Sequence, residues 1–239
     1  MLNLFRKGNC GLIGLDVGAE GIRMLQLERS KVRFGVVAAA RWHYPPNALA
    51  GDMDPAERRR LAAGAIDEML KKGCFRGRNV VSCIRSDSMS VKNVRLPHMS
   101  PEELAGAVEF ECQERFGFEV TSDRIHYIEA GEVRQGTETR DEVILMAVTE
   151  EVIEEHLEML AEMHLRSVHI DAESTALFRA YQRLLRRAQD EASVTVVVDI
   201  GLTSTRVMVA RGPTIVLIKT VDIAGHTFNE SVAKELGLG

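Results

Sequence analysis

Leu15-Asp16-Val17-Gly18-Ala19-Glu20-Gly21-Ile22-Arg23 and Val198-Asp199-Ile200-Gly201-Leu202-Thr203-Ser204-Thr205-Arg206 repeat Asp, Gly and Arg in one register, towards the two ends of a 239-residue chain. The first copy follows Leu12, Ile13 and Leu15, and the second closes the run Val194, Val196, Val197 and Val198. Each leads into another apolar stretch, Ile22, Met24, Leu25 and Leu27 or Val207, Met208 and Val209. Short apolar runs parted by a glycine-bearing turn predict strand, turn, strand. A third apolar run follows each hairpin, at 32–42 and 215–223, after the turn-forming Arg29-Ser30 and Arg211-Gly212-Pro213. The repeated unit is therefore a three-stranded meander, and two meanders predict two related lobes. A lone Asp-x-Gly says little, because both residues populate turns for local backbone reasons. Its recurrence in one three-strand setting, with Thr203, Ser204 and Thr205 in the second turn, carries the information.

Outward from the first meander, Tyr44-Pro45-Pro46 predicts a stiff turn and Asp54-Pro55-Ala56-Glu57 a helix start, with an N-cap acid, Pro in the first turn and Glu behind it. Leu61, Ala62, Ala65, Ile66, Met69 and Leu70 give that helix one apolar face, and Gly73 ends it. Residues 79–84 return as a strand, the right-handed crossover of a helix-covered sheet. Residues 87–165 have their own α+β order: a strand at 90–96, a helix opened by Ser100-Pro101-Glu102-Glu103, strands at 124–130 and 142–148, and a helix from Thr149. The polar residues 131–141 read as an exposed hairpin loop. The main sheet resumes at 167–171, a helix follows over 173–188, and a charged linker over 187–192 leads to the second meander. A last helix begins near Ala224-Gly225 and the sequence stops at Gly237-Leu238-Gly239. A second lobe built like the first needs further strands and helices, so this lobe reads as incomplete. The expected partition is 1–86 with 166–190 as the first lobe, 87–165 as an inserted subdomain and 191–239 as the start of the second lobe.

A formal charge of −5 argues against the basic face that nucleic acid requires. Arg58-Arg59-Arg60, and Arg183, Arg186 and Arg187, read as solvated helix faces. Cys10, Cys74, Cys83 and Cys112 show no Cys-x-x-Cys spacing and read as reduced thiols. His43, His98, His126, His156, His164, His169 and His226 fall in no metal-ligating spacing and read as structural or solvated. Neither a Gly-x-Ser-x-Gly elbow nor a Walker-type glycine loop is present. The first ten residues carry Arg6 and Lys7 and no long apolar stretch, so no signal peptide or membrane span is expected and membrane association would come through a partner.

Successive backbone N–H groups in a hairpin turn can hold a phosphate, and a nearby carboxylate can hold Mg²⁺ through its waters. Two such hairpins, one per lobe, could grip a nucleoside triphosphate from both sides. In this respect Asp16-Val17-Gly18, Asp199-Ile200-Gly201 with Thr203, Ser204 and Thr205, and Asp171-Ala172-Glu173 resemble the first phosphate loop, the second phosphate loop and the connecting segment of the actin-like superfamily. Residues 12–27, Tyr44-Pro45-Pro46-Asn47-Ala48, Arg76-Gly77-Arg78-Asn79-Val80-Val81, Val94-Arg95-Leu96-Pro97-His98-Met99-Ser100-Pro101-Glu102-Glu103-Leu104 and 198–206, in that order, are similar to the PilM family. These are actin-like type IV pilus assembly proteins of the FtsA/PilM branch, and the resemblance covers nearly the whole chain.

The resemblance implies an α/β, actin-like (ribonuclease H-like) fold of mixed sheets flanked by helices, with residues 87–165 as the inserted α+β subdomain. It implies a cytoplasmic adaptor, recruited to the inner face of the inner membrane, that holds the cytoplasmic N-terminal peptide of a PilN-like protein and links it to the pilus assembly ATPases or to a related type II secretion machinery. It also implies ATP and Mg²⁺ in the full-length fold, with weak or absent ATPase activity. Asp16 and Asp199 would orient the metal and its waters; Gly18, Ala19, Arg23, Gly201, Thr203, Ser204 and Thr205 would contact phosphates, with Glu173 beside them. Ala19, Glu20 and Gly21 stand where the family places serines, which puts a carboxylate beside a polyphosphate. The adenosine loop of the family would lie beyond Gly239, so this chain alone is expected to bind ATP poorly. Two other classes stay open: an active ATPase or kinase of the same superfamily, and an FtsA-like division protein, which would need an amphipathic tail that these residues do not show.

Overall fold

The structure, a computed structural model, describes residues 9–29, 33–49, 53–185 and 187–238. Arg6, Lys7, Ser30, Val32, Arg186 and Gly239, which figure in the expectations above, lie outside the described residues. The chain begins with β1 (Asn9–Val17), β2 (Gly21–Arg29), β3 (Phe34–His43), α1 (Pro46–Leu49), α2 (Pro55–Lys72) and β4 (Asn79–Ile84). It continues with β5 (Ser90–Pro97), α3 (Pro101–Phe116), β6 (Ile125–Gln135), β7 (Glu138–Ala147) and α4 (Glu150–Glu162). Next come β8 (Arg166–Ala172), α5 (Glu173–Gln182), β9 (Val194–Ile200), β10 (Thr205–Arg211), β11 (Thr214–Val221) and α6 (Gly225–Leu236). The chain divides into two compact units, residues 1–83 with 154–171, and residues 84–153 with 172–239.

The first unit is built on a sheet in the order β3-β2-β1-β4-β8, with β1 antiparallel to β2 and parallel to β4. Side chains alternate between the faces of a strand. Ile13 and Leu15 of β1, Ile22 and Met24 of β2 and Val80 of β4 therefore all turn to one side. There they meet Ala62, Ala65, Ile66 and Met69 of α2 and Leu160 of α4. The start of α2 follows its sequence signature: the Asp54 side chain accepts the Glu57 amide proton at 3.3 Å and Pro55 occupies the first turn.

Polar side chains also sit in this core. Gln26 is 1% exposed and paired with Ile13, where the β1–β2 register slips past Gly11. The irregularity frees the Gly11 carbonyl from the ladder, and the Gln26 amide group donates to it and to the Arg76 carbonyl, each at 2.9 Å. Its own carbonyl accepts the Arg76 N–H at 2.7 Å. Gln26 thus closes a bulge and ties down the segment that enters β4. A second polar pair, Ser82 of β4 and His156 of α4, lies 2.7 Å apart. Burial holds the His156 imidazole below its ordinary pKa, because the charged form loses water there.

The second unit has two three-stranded sheets, β5-β7-β6 and β11-β10-β9. Val94, Leu96, Val143 and Leu145 of the former pack on Leu104, Val108 and Cys112 of α3. Its other face supplies Ile144, Met146 and Ala130, which share a core with Met208, Ala210, Ile215 and Ile218 of the latter and with Phe178 of α5. Burial pushes the Cys112 thiol up to about 11, so it is an inert core residue. α3 starts on a capping box, with the Ser100 N–H donating to Glu103 Oε2 at 2.9 Å and the Glu103 N–H to Ser100 Oγ at 3.4 Å.

Two expectations need correction. Residues 131–141 are not a loop: β6 and β7 continue through them as a paired ladder, and only a tight turn at Gly136, with φ 67°, joins the strands. A ladder outside the core satisfies its backbone without needing apolar side chains, so a polar composition did not exclude strand. The helix expected over 173–188 ends at Gln182, where the Leu184 and Leu185 amides bond to Tyr181 and Gln182 in 3₁₀ fashion, and residues 188–192 form a separate short 3₁₀ turn.

Replacing Gln26 with Leu strands one amide and two carbonyls, so urea denaturation is expected to show a loss of about 2–4 kcal/mol. His156 predicts a pH dependence with a defined sign. The unfolded chain takes up this proton near the ordinary value of 6.5 and the folded chain only lower. Its contribution is whole above that value and falls as the pH drops from there towards the depressed one. His156→Gln should flatten that part of the pH profile of the urea midpoint, and an unaltered profile would contradict the assignment.

Candidate functional site

The repeated phrase forms two hairpin turns of one design, one in each unit. In the first, Asp16 and Arg23 are directly opposed on the β1–β2 ladder, and the Gly18 N–H donates to the Gly21 carbonyl at 2.9 Å. In the second, Asp199 and Arg206 are opposed on the β9–β10 ladder, and the Gly201 N–H donates to the Ser204 carbonyl at 3.0 Å. Opposite charges at facing positions stabilise an antiparallel pair. The recurrence of Asp, Gly and Arg therefore has a local cause: the glycine amide closes the turn, and the acid and base brace the two strands beneath it.

The surroundings of the two turns differ. Arg23 Nη1 donates to Asp16 Oδ2 at 3.1 Å and Nη2 to Glu20 at 3.3 Å, with all three side chains about half exposed. Glu20, which sequence places beside a phosphate, thus has its carboxylate drawn back to the hairpin by Arg23. The tight packing lies on the other side of the turn. A Cβ at Gly21 would stand 2.1 Å from the Trp42 carbonyl, whereas at Gly18 the closest atom would be an ordinary 3.5 Å away. The Tyr44 N–H donates to the Glu20 carbonyl at 3.0 Å. Arg58 of α2 lies 3.9 Å over the Tyr44 ring, donates to Ala48 at 2.8 Å and also donates to the Ala19 carbonyl. Arg58 is therefore no solvated helix charge but the anchor of the first turn; Arg59 and Arg60 are exposed as expected. Its only signal in the sequence is its place opposite the rigid Tyr44-Pro45-Pro46.

In the second unit the brace is enclosed. Arg206 is 12% exposed and bonds to both Asp199 and Glu173, the first residue of α5. Glu173 also accepts the Ser86 N–H at 3.1 Å, so one acid joins the start of α5 to the turn after β4. Glu173, Asp199 and Arg206 form one network, and Arg206 is the member that sequence reasoning left out, although its place in the repeat marked it. The turn itself is held by α6: the Gly225 and His226 amides donate to the Gly201 and Leu202 carbonyls at 2.9 and 3.0 Å, and His226 Nδ1 donates to Leu202 at 2.8 Å. A Cβ at Gly201 would meet the Ser204 carbonyl at 2.8 Å.

The three hydroxyls are not equivalent. Thr205 spends its proton on the Ile223 carbonyl at 2.6 Å, and Ser204 is 7% exposed. Thr203 accepts from Arg85 Nη2 at 3.1 Å, which leaves its own proton available to an acceptor. Asp16 and Asp199 each use Oδ2 for the arginine and keep side-chain exposures of 45% and 37%. Each carboxylate, taken by itself, can therefore offer Oδ1 to the waters of a hard cation such as Mg²⁺. No described helix is long and apolar enough to cross a membrane.

Residues 14–239 match the family described as type IV pilus assembly protein PilM. The chain is similar to a chain of a PilM-PilN type IV pilus biogenesis complex, at 25% identity and a TM-score of 0.75. The match covers 95% of this chain and 66% of that one, so the chain spans about two thirds of its length. Fainter likenesses are the cytoplasmic domain of EpsL, an inner membrane component of the type II secretion system of Vibrio cholerae (13% identity, TM-score 0.45, 88% of this chain and 71% of that one), and a Bacteroides thetaiotaomicron protein with an actin-like ATPase fold (8% identity, TM-score 0.48, 100% and 81%). The α/β fold implied by the sequence resemblance is the fold observed, although only the five-stranded sheet is mixed and both three-stranded sheets are antiparallel. The chain belongs to the family of type IV pilus assembly protein PilM.

Proposed function

We propose that this protein is an adaptor of the type IV pilus inner-membrane assembly complex, working on the cytoplasmic side and holding the N-terminal cytoplasmic peptide of a PilN-like membrane protein. The observation that carries this reading is the likeness, over 95% of the chain, to the PilM-PilN complex. Within residues 87–165, the expected inserted subdomain, α3 offers a candidate contact. Leu104, Val108 and Cys112 are consumed by its core, while Phe110 on the same helix is 59% exposed. An aromatic side chain left in water on a folded helix is a natural anchor for an apolar peptide.

The same reading assigns ATP and Mg²⁺ to the hairpins, each contributing its own groups. Asp16 and Asp199 orient the cation and its waters. Gly18, Ala19 and Arg23 on one hairpin, and Gly201, Thr203, Ser204 and Thr205 on the other, take the phosphates, with Glu173 supporting the second set through Arg206. Thr203 carries the most weight among the hydroxyls because its proton is free. The turn amides of Gly18 and Gly201 are spent inside their own hairpins, which favours weak binding and little hydrolysis, and so a scaffold over an active ATPase or kinase.

Fluorescence anisotropy with a labelled N-terminal peptide of a PilN-like protein should show saturable binding, weakened about tenfold or more by Phe110→Ser. Absence of binding would overturn the adaptor reading, and unchanged affinity in the variant would remove Phe110 from the contact. Calorimetry with Mg-ATP tests the hairpins separately. Weak binding that disappears in both Asp16→Asn and Asp199→Asn is expected, and binding indifferent to both substitutions would contradict the assignment. Steady phosphate release abolished by Asp199→Asn would favour the enzyme instead.

A further inference from the structure

The far end of the β5-β7-β6 sheet carries an arrangement that the sequence does not announce. Asp141 on the central strand β7 is directly opposed to Glu132 on β6 and to Leu96 on β5. His98 lies two residues beyond Leu96, so it stands on the same face. The β6 register slips between Glu129 and Gly131, and Gly131 adopts a φ of 114°, a conformation that glycine accepts readily. The bulge sets Glu129 and Glu132, three residues apart, along one cavity with His98 and Asp141. That cavity has a volume of about 620 Å³. Donor atoms of His98, Glu132 and Asp141 all lie within 4.8 Å of one another, and no other such trio occurs among the described residues.

Two carboxylates facing each other across an antiparallel ladder repel. Nearby cations do not relieve them: Arg140 turns to Glu138 at 3.2 Å and Arg95 to Glu142 at 3.9 Å. The Asp141 side chain is 18% exposed, so water screens it only in part. His98 answers the pair, with Nδ1 at 3.1 Å from Asp141 Oδ2. Nitrogen and oxygen donors about 2.0–2.2 Å from one zinc ion stand roughly 3–3.5 Å apart, so this spacing is already that of two ligands on one ion. One imidazole with two carboxylates is a donor set for a borderline divalent ion of the zinc class, whereas Mg²⁺ favours oxygen donors alone. We infer that His98, Glu132 and Asp141 form a three-ligand site for a zinc-class divalent cation, with a remaining coordination position open to the cavity. This inference is independent of the hairpins and of the peptide contact.

Calorimetry with zinc chloride on the whole chain, with magnesium chloride as the comparison, tests it. One zinc per chain is expected, in preference to magnesium, with binding weakened roughly 100-fold in His98→Ala and at least about tenfold in Glu132→Gln. His98 is largely exposed, so its removal should leave the fold intact, and circular dichroism checks this. Should His98→Ala not fold, Glu132→Gln carries the test alone. His126→Ala, an exposed histidine elsewhere on β6, should bind as the unaltered chain does. X-ray absorption of the zinc-loaded chain should show nitrogen and oxygen neighbours alone. Zinc held no more tightly than magnesium, affinity indifferent to the first two substitutions, or a sulfur neighbour pointing to the exposed Cys74, would each overturn the inference.

Discussion

One guanidinium organises the second unit. Arg206, itself largely buried, receives two carboxylates, Asp199 across its own hairpin and Glu173 at the junction of β8 and α5. Two acids brought to one point repel unless a cation and hydrogen bonds hold them, and here the Ser86 amide adds a donor to Glu173. The end of β9, the start of β10, the first turn of α5 and the turn after β4 are thereby fixed to one point. The α6 amides then fasten the exposed loop of the hairpin. The first unit uses the same Asp-x-Gly…Arg phrase with a different balance of forces. There the ion pair is half exposed and worth little, and the turn is held by Arg58, the Tyr44 ring and the close approach of Gly21 to Trp42.

This asymmetry bears on function. A hairpin braced from within presents its loop as a fixed object, which suits a protein whose proposed work is to hold a partner rather than to turn over a substrate. The same bracing consumes groups that a strong phosphate site would keep free. The Gly18 and Gly201 amides close their own turns, Thr205 is committed to Ile223 and Glu20 is drawn to Arg23. An oxygen on each aspartate and the Thr203 proton stay available.

Local rules made much of the fold legible. The paired meanders, the capping signatures of Asp54 and Ser100 and the glycine turns each depend on residues close in sequence, and each stands where periodicity and capping place it. Three features were illegible for the opposite reason. Strand pairing through residues 131–141 depends on what lies across the ladder, and polar composition conceals it. Arg58 looks like its neighbours Arg59 and Arg60 until the fold brings the carbonyl of Ala19 to it. His98, Glu132 and Asp141 come from three segments and share no spacing, so only register unites them. Of the candidate site, sequence marked the two hairpins and Glu173, but not that Arg206 joins Glu173 to Asp199.

The central claim is that the repeated phrase is first a structural brace, strong where enclosed and weak where exposed. A pair of double-mutant cycles in urea denaturation measures this directly, one on Asp199 and Arg206 and one on Asp16 and Arg23. The account predicts a coupling of about 1–3 kcal/mol for the enclosed pair and less than about 1 kcal/mol for the exposed one. Negligible coupling between Asp199 and Arg206, or equal coupling in both hairpins, would contradict it.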